Sequence, residues 1–275
     1  MFSRKKLRDK KMFRLDKNST YMMPAHFGGG AFDPTYKATM QAVLLNMAFE
    51  TDRAALEQYI PEELELLFPE VQISLNQLTE INWLSGGHYN LVGVSSPVRF
   101  NGKKDHVDAS YPLVMWENQT APILTGREQT GVPKIFADIE NLHILKPYYA
   151  SSVSYEGNTF LTMNFEAGGE ITGKDFERVK SQMKVLDLIG WRFIPKVGAP
   201  GADLSQFIYF PQWMEVRKAW TGTGTFRWTE LTPMQNPRQY HIISALAALP
   251  VKKMTRAILA EGEVVIDTLH SRVLE

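Results

Sequence analysis

A period-two alternation most constrains what this chain can fold into: short apolar and aromatic runs, broken by Gly, Pro, Asn and Asp, recur from Thr39 to Leu269. Successive side chains of a strand point to opposite faces, so these runs suit half-buried strands, whereas the apolar stripe of a helix needs a 3.6-residue period. The pattern predicts strands over 39–49, 71–83, 88–100, 111–116, 136–145, 151–155, 159–166, 191–194, 207–210, 217–228 and 263–269. Glycine runs at 28–30, 86–87 and 168–169 punctuate them, and Asn101-Gly102 between two apolar runs predicts a hairpin turn.

Helices are few. Thr51 and Asp52 can cap a short helix through Tyr59 that Pro61 ends, and 175–188 spaces Phe176, Val179, Met183, Leu186 and Leu188 as one helical face. No repeat, low-complexity block or long linker divides the chain. The expectation is a mainly β, antiparallel domain with minor α over 21–275, its strand edges hidden by closure or stacking. Before it stands a basic arm over 1–20, with eight Lys or Arg and two acidic residues in the first 18 positions.

Composition narrows the chemistry. A hydrophobic fraction of 44% over 275 residues is ample for a core. The 30 basic and 30 acidic side chains cancel, so no global field favours nucleic acid or an anionic membrane as partner. The apolar stretches are far shorter than the roughly 20 residues of a membrane helix, and no apolar segment follows the basic start, so the chain reads as soluble and cytoplasmic. Zero cysteines exclude disulfides, thiolate metal sites and a cysteine nucleophile. Asp105, His106 and Asp108 share a polar loop, and Gly222-Thr223-Gly224 lacks the third glycine of a dinucleotide loop, so neither metal nor cofactor is expected.

Lys134 remains as the candidate for chemistry. If 132–136 is extended, Val132, Lys134 and Phe136 share one face, and an inward Lys134 has apolar neighbours on both sides. Desolvation disfavours an ammonium, and the neutral amine can condense with a ketone or aldehyde to an imine that becomes an electron sink once protonated. The alternative is a strand lysine whose amine reaches solvent.

The residues around Lys134 resemble the acetoacetate decarboxylase family, in which a Gly-Arg-Glu triplet leads to a Pro-Lys pair; here these are Gly126-Arg127-Glu128 and Pro133-Lys134. Thr51-Asp52 through Pro61-Glu62, the run from Pro97 to Gly102, Ala121-Pro122-Ile123, Ala219-Trp220-Thr221-Gly222 and Leu249-Pro250-Val251-Lys252 are similar to family segments in the same order. The resemblance implies a closed, cone-like double β-barrel around a Schiff-base lysine, a homo-oligomer, and a small oxo acid as substrate.

The departures redirect the expected reaction. Ile135 stands where true acetoacetate decarboxylases have a second lysine, and the family's pocket arginine and two pocket glutamates fall at Ala42, Asn76 and Leu91. Some relatives use the same lysine for aldol addition of pyruvate to an aldehyde followed by dehydration, and this chain looks more like that branch. Decarboxylation of a 3-oxo acid and a non-catalytic ligand-binding barrel are the alternatives.

A proton shuttle is sought among Glu80, His88, Tyr89, Glu128 and Gln129, with Tyr89 and Glu128 ranked first because the matched segments carry them. Arg127 either pairs with Glu128 or clamps a substrate carboxylate. Val132, Asn76 and Leu91 complete the expected substrate side. For each of these residues the bland reading is a core or surface contact.

Overall fold

The computed structural model describes residues 12–275. Residues 1–11, most of the expected basic arm, lie outside the described residues. The chain separates into a unit ending at Tyr36 and a unit spanning Lys37–Glu275. In the first, β1 (Ser19–Thr20) and β2 (Gly30–Ala31) form a two-residue antiparallel pair.

The second unit carries the alternating runs as long strands: β3 (Ala38–Glu50), β4 (Leu64–Leu66), β5 (Glu70–Ile81), β6 (Gly87–Asn101) and β7 (His106–Glu117). Short strands follow, β8 (Lys134–Phe136), β9 (Asp138–Ile139) and β10 (His143–Leu145). Then come β11 (Tyr148–Tyr155), β12 (Asn158–Glu170), β13 (Leu188–Pro195), β14 (Ala202–Phe210), β15 (Gln212–Trp228), β16 (Lys253–Ile266) and β17 (Arg272–Val273). One sheet joins them in the order β10-β11-β12-β15-β16-β3-β5-β6-β7-β13-β14-β17, with β4 on β6, β8 on β7 and β9 on β11. Its pairs are antiparallel except β7 with β8 and with β13. No ladder joins β10 to β17, so hydrogen bonding among the described residues does not close the expected barrel.

Among the described residues four α-helices punctuate the sheet: α1 (Arg53–Glu57), α2 (Thr120–Thr125), α3 (Gly173–Met183) and α4 (Tyr240–Ala247). Asp52 caps α1 by accepting from Ala55 N at 3.1 Å. Among the described residues no helix is long and apolar enough to cross a membrane.

Three local expectations need correction. The run 136–145 is not one strand: Phe136 ends β8, and two- and three-residue strands β9 and β10 follow, because Ala137 N turns to the Glu117 carbonyl and Glu140 N to Ser152 O. The turn after Asn101 is longer than a two-residue hairpin: Gly102 N bonds Asp105 O at 2.9 Å, and Lys104 N and Asp105 N both donate to the carbonyl of Glu275, so the last residue is seated on this loop. The helix read as reaching Leu188 ends at Met183, since Leu188 opens β13 and pairs with Phe210.

The alternation separates two faces. On one, Leu45, Leu75, Val92 and Trp116 form a cross-strand row beside Met47, Ile73, Val94 and Val114, all buried in a single apolar core with Ile243 and Leu246 of α4. Gln239, just before α4, accepts from Trp116 Nε1 at 2.8 Å and donates to Phe136 O at 2.9 Å, tying the core to the strand after Lys134. The other face holds Met40, Ala42, Leu44, Leu78 and Tyr89, covered in part by Val179 and Phe176 of α3.

Candidate active site

The second face contains Lys134. Register places Asn46, Ser74, Gly93, Met115 and Lys134 in one row across five strands. The adjacent row is Leu44, Asn76, Leu91 and Glu117, and the next is Ala42, Leu78 and Tyr89. Period two therefore brings Lys134, Tyr89, Asn76, Leu91 and Ala42 to one surface.

Lys134 stands on a strand of only three residues, paired in parallel with β7. The turn before it fixes its path. Residues Gly126–Thr130 wind as one wide helical turn, which Gly131 ends in a left-handed conformation at φ 68°. A Cβ on Gly126 would lie 2.5 Å from both Cδ and Cε of Lys134 and 2.9 Å from Nζ, so the lysine lies against bare backbone. Arg127 Nη1 donates to the Lys134 carbonyl at 2.9 Å, and Val132 N returns to Gly126 O at 3.1 Å. These bonds explain locally why Gly and Arg precede the lysine at this spacing.

The lysine amine meets a carboxylate the sequence reading did not include. Nζ lies 2.8 Å from Oε1 of Glu117, whose side chain is 0% exposed against 12% for Lys134. The amine donates its hydrogen bond to Pro122 O at 3.1 Å, which also accepts from Thr125 Oγ1. Among the described residues neither oxygen of Glu117 has an aligned hydrogen-bond donor, and Lys134 Nζ is the one donor close to it. Burial pushes the Glu117 carboxyl above its usual range, and the charge of Lys134 offsets part of that rise. Burial, with the nearby Glu117 charge adding to it, pushes the Tyr89 phenol well above its own range.

The shielding of Lys134 differs from the expectation. Phe136 is 43% exposed and covers little, whereas Val132 is buried against Leu188 and Phe210. Cover comes from neighbouring strands and the 126–131 turn, because a three-residue strand offers too little chain to shield its own middle. Ile135 points to the opposite face and packs on the apolar core there.

The other expected residues are dispersed. His88 is exposed and alternates away from Tyr89. Glu80 is exposed in the bulge between Leu78 and Ile81, at φ 52°. Arg127 and Gln129 are exposed, and Glu128 is half-buried with its carbonyl taking Arg192 Nε at 2.6 Å. His106 and Asp108, expected in a polar loop, instead open β7; Asp105 and Asp108 pair with Arg272 and Arg99, and among the described residues no group of three His, Cys, Asp or Glu could hold a metal ion.

Glu117 escaped the sequence reading because the strand predicted over 111–116 stops one residue short. Extending its alternation from Met115 would have put Glu117 on the lysine face. The surface clefts lined by Arg53, Glu57 and Leu67 and by His143, Leu145 and Tyr148 contain none of these residues.

The fold and site thus define a β protein presenting one largely buried amine against one buried carboxylate. The acetoacetate decarboxylase family profile matches residues 22–269, and the chain belongs to that family. It is 26% identical over 232 residues to an acetoacetate decarboxylase of Burkholderia ambifaria, covering 82% of this chain and 86% of that protein. Solved structures share the fold. The acetoacetate decarboxylase of Legionella pneumophila superposes with a TM-score of 0.72 at 19% identity, over 90% of this chain and 92% of the other. The enduracididine biosynthesis enzyme MppR complexed with pyruvate does so with 0.67 at 13% identity, over 90% and 93%.

Proposed function

We propose that this chain is a Schiff-base lyase in which Lys134 Nζ adds to the carbonyl carbon of a small oxo acid, the carbonyl oxygen leaving as water. The observation that carries the reading is the largely buried amine held against Gly126, beside a carboxylate and among apolar side chains. A free amine there is a nucleophile, and its protonated imine is an electron sink.

The preferred substrate is a pyruvate-like 2-oxo acid. Its imine loses a methyl proton to give an enamine, which attacks an aldehyde, and loss of water gives a conjugated product. Ala42, Asn76 and Leu91 support this over decarboxylation, since all three lie on the lysine face and none supplies the arginine or carboxylates that the family resemblance implies for a decarboxylase. Pyruvate is also what MppR binds. Decarboxylation of a 3-oxo acid through the same imine is the second reading, favoured by the name of the Burkholderia relative. Tyr89, Asn76 and Leu91 are the substrate-side residues, while Arg127 acts on the backbone of Lys134. A closed double barrel, a homo-oligomer and a cytoplasmic location belong to the same proposal.

The test is borohydride reduction with pyruvate, acetoacetate or oxaloacetate, read by intact mass. Wild type gains the reduced adduct and Lys134→Ala does not; an unchanged wild-type mass with all three, the fold being intact, overturns the reading. Pyruvate with an aromatic aldehyde then yields a conjugated ultraviolet chromophore, whereas rapid carbon dioxide release from acetoacetate without that chromophore selects the second reading.

A further inference from the structure

Resting on that imine chemistry, we infer that Glu117 is the catalytic acid–base of the site, taking the proton that frees the Lys134 amine and later the α-proton that turns imine into enamine.

Oε1 of Glu117 lies 2.8 Å from the nitrogen that must lose a proton, within reach of direct transfer. A carboxylate buried for structure alone ordinarily has its lone pairs filled by donors, because an unsatisfied buried charge is costly. Among the described residues Glu117 has no aligned donor on either oxygen, and the charge closest to it is the Lys134 amine. Its lone pairs are therefore open to protons.

Tyr89 shares the face, but burial and the nearby Glu117 charge push its phenol well above its usual range, which favours the protonated form and does not suit a base. His88 and Glu80 are exposed, and Glu128 is half-buried on a turn whose backbone is engaged by Arg192. Asn76 and Leu91, beside Glu117 in the sheet, cannot titrate.

The protons balance. Transfer from the ammonium to the carboxylate leaves a neutral amine and a carboxylic acid. The nitrogen lone pair forms the N–C bond while the carbonyl π electrons move to oxygen, which takes the Glu117 proton. Nitrogen then gives its extra proton back to the carboxylate. The C–O bond breaks as the nitrogen lone pair forms C=N, and Glu117 protonates the departing hydroxide to water. The restored carboxylate next removes an α-proton; the C–H electrons become the enamine C=C and the C=N electrons return to nitrogen.

Hydrogen–deuterium exchange isolates the last step. Wild type and Glu117→Gln are incubated with pyruvate or acetone in D2O, the methyl proton signal is followed by NMR, and parallel samples are reduced with borohydride to measure imine. Wild type should both trap and exchange, and Glu117→Gln should reach the same trapped fraction on longer incubation while exchanging at least about 100-fold more slowly per imine. Exchange per imine within about threefold of wild type overturns the role of Glu117 and leaves the Lys134 imine standing. A wild type that traps neither probe sinks the imine reading, and the role of Glu117 falls with it. Should Glu117→Gln fail to fold, Glu117→Asp, which withdraws the carboxylate by one methylene, must trap yet exchange at least about tenfold more slowly, and an unchanged rate overturns the proposal.

Discussion

The two faces of the central strands are built from the same backbone and differ in what they bury. Residues Leu45, Leu75, Val92 and Trp116 contribute only apolar side chains and one indole N–H, which Gln239 satisfies. One residue along each strand, Leu44, Asn76, Leu91 and Glu117 include a neutral amide and a carboxylate with no aligned donor, beside the amine of Lys134. Apolar burial stabilises by roughly 25 cal/mol per Å², whereas a buried ion pair recovers its desolvation cost only with good geometry and filled lone pairs. The first face therefore supplies stability and the second spends some of it on a reactive pair.

The largest effect expected from this contrast is on the apolar face. Trp116→Ala should cost about 3–5 kcal/mol in urea denaturation, since the side chain is fully buried and packs in tilted contact with Phe160 and Trp228. A cost below about 1 kcal/mol would remove the assignment of stability to that face.

Next, Gly126→Ala should leave the denaturation midpoint nearly unchanged while slowing borohydride trapping about 100-fold, because its Cβ would displace the lysine chain by an ångström or so. A variant that traps at the wild-type rate would show that the Gly126 contact does not position the amine.

The smallest effect is a slope with pH. Glu117 is raised in the folded state, so the folded protein binds that proton more tightly than the unfolded chain; the stability this gives is complete below the ordinary value of 4.5 and is lost as pH rises through the folded value. The melting temperature of wild type minus that of Glu117→Gln should accordingly fall as pH is raised from 4.5. A difference that stays flat or climbs would mean that Glu117 is better solvated than its 0% exposure implies.

Much of this was legible in the chain. The alternation in 39–49, 71–83 and 88–100 matches β3, β5 and β6 to within two residues at each end, because long antiparallel strands with one apolar face leave a strong period-two record. Shorter elements left weaker ones. α2 and the turn after it span six and five residues, too few for a 3.6-residue period to show, and the apolar composition of α4 reads equally as a buried strand.

The sequence by itself determined the mainly β character, the long strands β3, β5 and β6 with their two faces, the lysine after its Gly-Arg-Glu and Pro, and the family. It could do so because propensity, alternation and ordered motifs are local along the chain. Only the tertiary structure decided the partner of that lysine. Glu117 lies 17 positions before Lys134 and meets it through the parallel pairing of β7 with β8, and Tyr89 joins them from a third strand. Register, burial and the missing donors around a carboxylate come from strands brought together across the sheet, and local sequence carries no record of them.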